Sequence, residues 1–197
     1  MVLKSGIFII AELHGPVAER VRAIQERYDP KLARQSPPHV TLAGSSGTGV
    51  ILPDTPAAEL RRALEPIAAT TAPLTLRFGA PMRFMQTDIV SLPLDPHGPL
   101  RVLHERIAAS GLRFQPARFA FTPHCTLNFY RTLTPDSVRE LLRLRVREPV
   151  VIDRLVAYHT VEPQPPRRLA EVVLAGTAVD DPPAAPARAV PAAPDDR

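Results

Sequence analysis

The chain has 197 residues, 45% of them hydrophobic and 22% charged, which are globular values and enough to bury a core. The 24 prolines against 9 glycines exclude a coiled coil or an all-helical bundle, because interior proline breaks helices, and the absence of a G-X-Y period excludes collagen. Cys125 stands alone, which excludes a disulfide scaffold and multi-cysteine metal sites, and the net charge of +4 favours an anionic partner.

The first apolar run stops at Glu12, too short for a signal peptide or a membrane span, and no later run reaches about 18 apolar residues. The expectation is a soluble cytoplasmic protein with no membrane partner. Ile7 to Leu13 suits a strand buried on both faces. Gly15-Pro16 turns the chain into a helix whose Val17, Val21, Ile24 and Tyr28 share one face, and Asp29-Pro30 ends it. His39 to Ala43 reads as a short strand. Thr55-Pro56 reads as the N-cap and first residue of a helix striped by Leu60, Leu64, Ile67 and Ala68. Leu74, Leu76 and Phe78 alternate with Thr75 and Arg77, as in a half-buried strand.

The same order then repeats. Ile89 to Leu94 is an apolar strand, and Asp95 to Pro99 a turn. Leu100, Leu103 and Ile107 mark a helix ending at Gly111. Thr122 to Asn128 is a strand, and Thr134-Pro135 caps a helix that turns Val138, Leu141 and Leu142 inward. Val150 to Tyr158 and Glu171 to Ala175 close the series as strands. The pattern predicts an α+β (mixed α/β) fold. It reads as a single bilobal domain over residues 1–176, with lobes of roughly 1–86 and 87–176. Two antiparallel or mixed sheets, flanked by helices and related by a pseudo-twofold axis, would leave a central groove. Thr177 to Arg197 is Ala/Pro-rich, without periodicity or large apolar groups, and is expected to be a disordered tail.

The central strands carry nearly the same words, Pro38-His39-Val40-Thr41-Leu42 and Pro123-His124-Cys125-Thr126-Leu127. Side chains alternate between the faces of a strand. His39 and Thr41 therefore share one face while Val40 and Leu42 point into the core, and the second copy repeats this. Two imidazoles and two hydroxyls facing one groove suit a phosphodiester. One imidazole accepts a proton from the nucleophile, and the other donates to the leaving oxygen. The threonine hydroxyls donate to the non-bridging oxygens as charge builds. This chemistry requires no metal.

The pair of H-x-T-L motifs, one in each half of a duplicated chain of this size, resembles the 2H phosphoesterase superfamily. The likeness is to its 2′–5′ RNA ligase-like branch, the RNA 2′,3′-cyclic phosphodiesterases, and it covers about Ile7 to Gly176. The resemblance implies a bilobal fold with a central groove. It also implies metal-independent, cofactor-free opening of a 2′,3′-cyclic phosphate to a 2′-phosphate by His39, Thr41, His124 and Thr126. Some members also join or cleave 2′–5′ linkages in RNA. The implied partner is RNA or a nucleotide bearing a cyclic phosphate, and the chain is expected to act as a monomer. The alternatives are a catalytically silent RNA-binding module on the same fold, or a phosphodiesterase for a 2′–5′ oligonucleotide or a small cyclic metabolite.

Other residues are read beside this quartet. Arg113, Phe114, Arg118, Phe119 and Phe121 lead into the second motif. They suit phosphate contacts and base stacking, or equally solvated arginines and core phenylalanines. Tyr130 and Arg131 follow it closely. Arg118, Phe119, Tyr130 and Arg131 are the substrate-binding candidates. Gly44 to Gly49 lacks the Lys-Ser/Thr of a phosphate-binding loop and is expected to be a flexible loop at the groove rim. Cys125 falls on the face opposite His124 and reads as a small buried residue, not a nucleophile. His14, His97 and His104 read as structural, with His159 left open. No H-E-x-x-H spacing points to zinc.

Overall fold

The computed structural model describes residues 5–161 and 165–177. All but the first residue of the expected tail lies outside the described residues. Strand β1 (Ser5–Glu12) buries Ile7, Ile9 and Ala11 completely. Gly15, in the left-handed region at φ 63, turns the chain into α1 (Gly15–Tyr28), which buries Val17, Val21, Ile24 and Tyr28. A short helix α2 (Pro30–Gln35) follows, because Asp29 closes one helix and caps the next. The first motif forms β2 (His39–Ala43). Helix α3 (Ala57–Ala69) and strand β3 (Leu74–Leu76) complete the first series.

The second series begins with a hairpin of β4 (Met82–Arg83) and β5 (Val90–Pro93). Gly98, at φ 64, opens α4 (Gly98–Ala108) as Gly15 opens α1. The second motif forms β6 (His124–Asn128), followed by α5 (Pro135–Arg143), β7 (Val150–Ile152), β8 (Arg154–Val161) and β9 (Arg167–Val173). The fold is mixed α+β, with antiparallel sheets ordered β2-β1-β8-β9 and β4-β5-β6 and a separate β3-β7 pair. Among the described residues, no helix is long and apolar enough to cross a membrane.

The repeat extends to the hydrogen bonding. Leu13 N–H donates to Pro38 O at 2.8 Å, and Leu94 N–H donates to Pro123 O at 2.9 Å. Each motif proline, without an N–H of its own, thus anchors its strand through its carbonyl. The two series also clasp each other. Helix α1 packs on β6, α4 packs on β2, and β2 lies against β6. Gln25 on α1 donates to Thr126 O at 2.8 Å, and His104 on α4 bonds Leu42 O at 2.7 Å.

The structure corrects several sequence expectations. The division into halves of 1–86 and 87–176 does not match the sheets, because β8 and β9 return to the first sheet beside β1. Leu155, Val156 and Ala157 are buried and need neighbours on both edges, which β1 and β9 supply. The apolar run from Val150 to Tyr158 is two strands, split at Asp153, where the chain leaves β3 for β1. Helix α3 starts one residue later than read, with Pro56 at the N-cap, and the buried Thr55 hydroxyl caps nothing. Thr134 does cap α5, accepting from Ser137 N–H at 3.2 Å.

One buried charge ties the series together. Asp29 is 0% exposed, and its carboxylate accepts from Leu32 N–H at 3.0 Å, Phe129 N–H at 2.7 Å and Tyr130 N–H at 2.6 Å. Burial alone would raise its pKa. The N–H donors of Phe129, Leu32, Tyr130 and Arg131 outweigh burial and hold the carboxyl below its usual range. Asp29→Ala is expected to lower stability by about 3 kcal/mol, because it orphans buried N–H groups on both series. A carboxylate with a lowered folded pKa stabilises above its unfolded pKa, and loses that contribution as pH falls through the folded value. Urea unfolding should therefore separate variant from wild type at pH 7 and bring them together in acid. Coincident curves at pH 7 would overturn the assignment.

Candidate active site

Strands β2 and β6 share one exposure pattern, in which His39, Thr41, His124 and Thr126 are half-buried and the residues between them buried. Val40, Leu42 and Leu127 are 0% exposed and Cys125 1%. The phase of each strand is set by these core residues, so histidine and threonine must face the other way. Cys125 is correspondingly inert. Burial pushes its thiol up to about 12, opposed only in part by the main chain of His39.

Both imidazoles are held in the same way. Nδ1 of His39 lies 2.8 Å from Pro37 O, and Nδ1 of His124 lies 2.7 Å from Thr122 O. A carbonyl has no proton to give, so Nδ1 carries the hydrogen in each ring. Each neutral imidazole then has Nε2 as its free base. Ser36 Oγ lies 3.1 Å from His39 Nδ1 and shares its proton with the Pro37 carbonyl. Burial lowers both imidazole pKa values, opposed by these carbonyl bonds. The charge of His124 lowers that of His39 further, as β2 lies against β6.

The surroundings are not symmetric. Glu12 on β1 is the register partner of His39, and its carboxylate raises the pKa of that ring. Tyr158 on β8 donates to Glu12 Oε1 at 2.7 Å, and burial followed by this bond pushes its phenol up to about 12. The partner of His124 in the equivalent register is Pro93, which carries no charge. Phe84 instead meets His124 edge to face, with ring centroids 5.0 Å apart. Sequence reasoning missed these neighbours. Glu12 had one visible signal, a carboxylate ending an apolar strand, but its partner is fixed only by cross-strand register.

The four binding candidates fall in two places. Arg118 and Phe119 are exposed, Phe119 at 68%. Arg118 N–H donates to Ser45 O at 3.2 Å, and Gly47 N–H donates to Phe119 O at 2.9 Å. Residues 113–119 thereby line the stretch after β2, so the loop expected at Gly44 to Gly49 is tied by main-chain hydrogen bonds to the approach to the second motif. Gly49, at φ 94, leaves no space for a Cβ, which would fall 1.8 Å from Gln115 O. Tyr130 and Arg131 belong to the main-chain cradle of Asp29. The Lys31 ammonium lies 4.1 Å from the Tyr130 ring centroid, and Arg131 Nη1 donates to Arg27 O at 3.4 Å. Among the other histidines, His104 is buried and stacks on Phe121 at 3.8 Å, and His159 Nε2 lies 3.2 Å from Ser5 Oγ. Among the described residues, no group of three His, Cys, Asp or Glu side chains is arranged to hold a metal ion.

A model of the 2′-5′ RNA ligase superfamily matches residues 13–163. Curated protein sequences give no match. Among solved structures, the Thermus thermophilus protein TT0787 superimposes with a TM-score of 0.58 at 16% identity, over 88% of this chain and 100% of that one. Apo LigT of E. coli gives 0.55 at 17% identity, over 86% and 97%. The same protein complexed with 3′-AMP gives 0.52 at 16% identity, over 86% and 98%. At these identities the likeness concerns the fold.

The geometry makes a prediction that needs no substrate. In NMR titrations of the ring Cε1 protons, both His39 and His124 should titrate below the ordinary imidazole value of about 6.5. His124→Asn should move the His39 titration upward by removing a like charge, and Glu12→Gln should move it downward. Two unperturbed titrations would contradict the burial of the pair.

Proposed function

Because the chain belongs to the 2′-5′ RNA ligase superfamily, we propose that it opens a 2′,3′-cyclic phosphate on an RNA end or nucleotide by paired imidazole acid–base catalysis, leaving a 2′-phosphate. The observation that carries this reading is the mirrored pair of histidines, each tied at Nδ1 to the carbonyl two residues earlier. That tie orients both rings and reserves both Nε2 atoms for proton exchange. In the reaction, the neutral imidazole takes a proton from water as its oxygen attacks phosphorus. The bond from phosphorus to the 3′-oxygen breaks, and the imidazolium protonates that oxygen. Water is consumed, and each ring ends in the other's starting state, so solvent exchange resets the pair.

The Glu12 carboxylate favours a charged ring at His39, but burial and the His124 charge oppose it there, so the chemistry asks only that one ring be neutral and the other charged. The Thr41 and Thr126 hydroxyls, on the same faces, donate to the non-bridging oxygens. In this reading Arg118 and Phe119, both exposed, meet substrate outside the pair through phosphate contact and base stacking. The LigT complex with 3′-AMP makes ribose phosphates the first substrates to assay. Joining or cleaving a 2′–5′ linkage would use the same two proton transfers.

Phosphorus NMR should show a 2′,3′-cyclic nucleotide converted to the 2′-phosphate, with excess EDTA present. His39→Ala and His124→Ala are each expected to lower kcat by at least about 10²-fold in folded protein. If both variants keep the wild-type rate, the assignment fails. RNA binding without turnover of any cyclic phosphate would favour a silent binding module instead. The kcat/KM profile should be a bell with its optimum below about pH 6.5, because both pKa values are lowered in the free enzyme. The kcat profile should lie at higher pH, since a bound phosphate anion raises both.

A further inference from the structure

A second concentration of positive charge lies outside the histidine pair. A cavity of about 240 Å³ is lined by Arg77, Phe78, Gly79, Arg145, Val146 and Arg147, where the chain after β3 meets the approach to β7. This is smaller than the roughly 300–1,000 Å³ of small-molecule sites, and suits a phosphate with the edge of its sugar. Seven other arginines pair with carboxylates, but among the described residues none of these three does. Two are held by neutral carbonyls. Arg77 Nη1 donates to Arg147 O at 3.3 Å, and Arg145 Nη1 donates to Leu144 O at 2.6 Å and Leu142 O at 3.2 Å. Such partners fix a guanidinium without neutralising it. The nearby Glu148 carboxylate is occupied in part by Arg147 N–H at 2.9 Å.

The cavity is joined to the second motif. Gly79 N–H donates to Pro93 O at 2.8 Å, and Pro93 is the register partner of His124. Gly79 is thus about 10 Å from the His124 main chain, two strand spacings away. A nucleotide or two of extended strand covers that span. Phe78 and Val146 supply an apolar wall to the cavity beside the arginines.

We infer that this arginine-lined cavity is a subsite for a backbone phosphate of the RNA strand, one or two nucleotides from the bond that reacts. The inference rests on the reading that the substrate is an RNA end. It makes the enzyme one that favours strands over mononucleotides.

The test is binding, so it does not depend on turnover. The probe is a fluorescently labelled RNA 10-mer ending in a 2′-phosphate, compared with a nucleoside 2′-phosphate, over a series of salt concentrations. Arg147→Ala and Arg77→Ala should each weaken 10-mer binding about threefold to tenfold, and by more than they weaken nucleotide binding. Each should reduce the slope of log Kd against log salt by about 0.7, the value for one single-strand phosphate contact. Arg147→Lys should keep that slope, because it keeps the charge. Arg20→Ala, on α1, controls for net charge. Equal losses on both ligands, or an Arg20→Ala effect as large as that of Arg147→Ala, would overturn the subsite. If the wild-type protein does not bind the 10-mer at all, the RNA reading itself falls. Tight binding with an unchanged slope in the variants removes the subsite alone.

Discussion

The placement of the candidate site depends on the burial of four side chains. Val40 and Leu42 on β2, with Cys125 and Leu127 on β6, are all at most 1% exposed. Each large aliphatic among them stabilises the fold by about 1.5–3 kcal/mol. A slip of one residue on either strand would expose that set and drive an imidazole and a hydroxyl into the core. The orientation of His39, Thr41, His124 and Thr126 therefore follows from hydrophobic packing. It needs no contact between the polar groups themselves.

Packing fixes direction, and main-chain polarity fixes chemical state. The carbonyls of Pro37 and Thr122 hold the proton on Nδ1 of each ring. The remaining clasps are also main-chain bonds made by side chains from the opposite series, through Gln25, His104 and Asp29. Buried polar groups of this kind are costly unless paired, so each clasp fixes its position closely. A duplicated fold could have left two equivalent rings. Glu12 opposite His39, and Pro93 with Phe84 beside His124, make the two environments electrostatically different.

Much of this was legible along the chain. Helix stripes such as Leu60, Leu64, Ile67 and Ala68 are all buried, because periodicity reports a face directly. The H-x-T phase was equally readable, since alternation along a strand is local. Thr55 misled because a Thr-Pro pair permits a cap without enforcing one, and there the hydroxyl is turned inward. The run from Val150 to Tyr158 concealed a change of partner at Asp153, whose carboxylate bonds Arg154 and faces His14. Tyr130 and Arg131 read as substrate-binding side chains just past the motif; both are exposed, and what the sequence does not show is that their main chain helps to hold Asp29.

The sequence by itself determined the repeat, the motif phase and the residue types that suit phosphodiester chemistry. Each of these is written in spacing over a few residues. Tertiary structure alone decided that β8 and β9 return to the first sheet, that Glu12 stands against His39, and that Arg77, Arg145 and Arg147 share one cavity. Strand partners and convergent side chains come from segments distant in the chain. Their choice is made by which edges and faces remain to be covered once the local elements have formed.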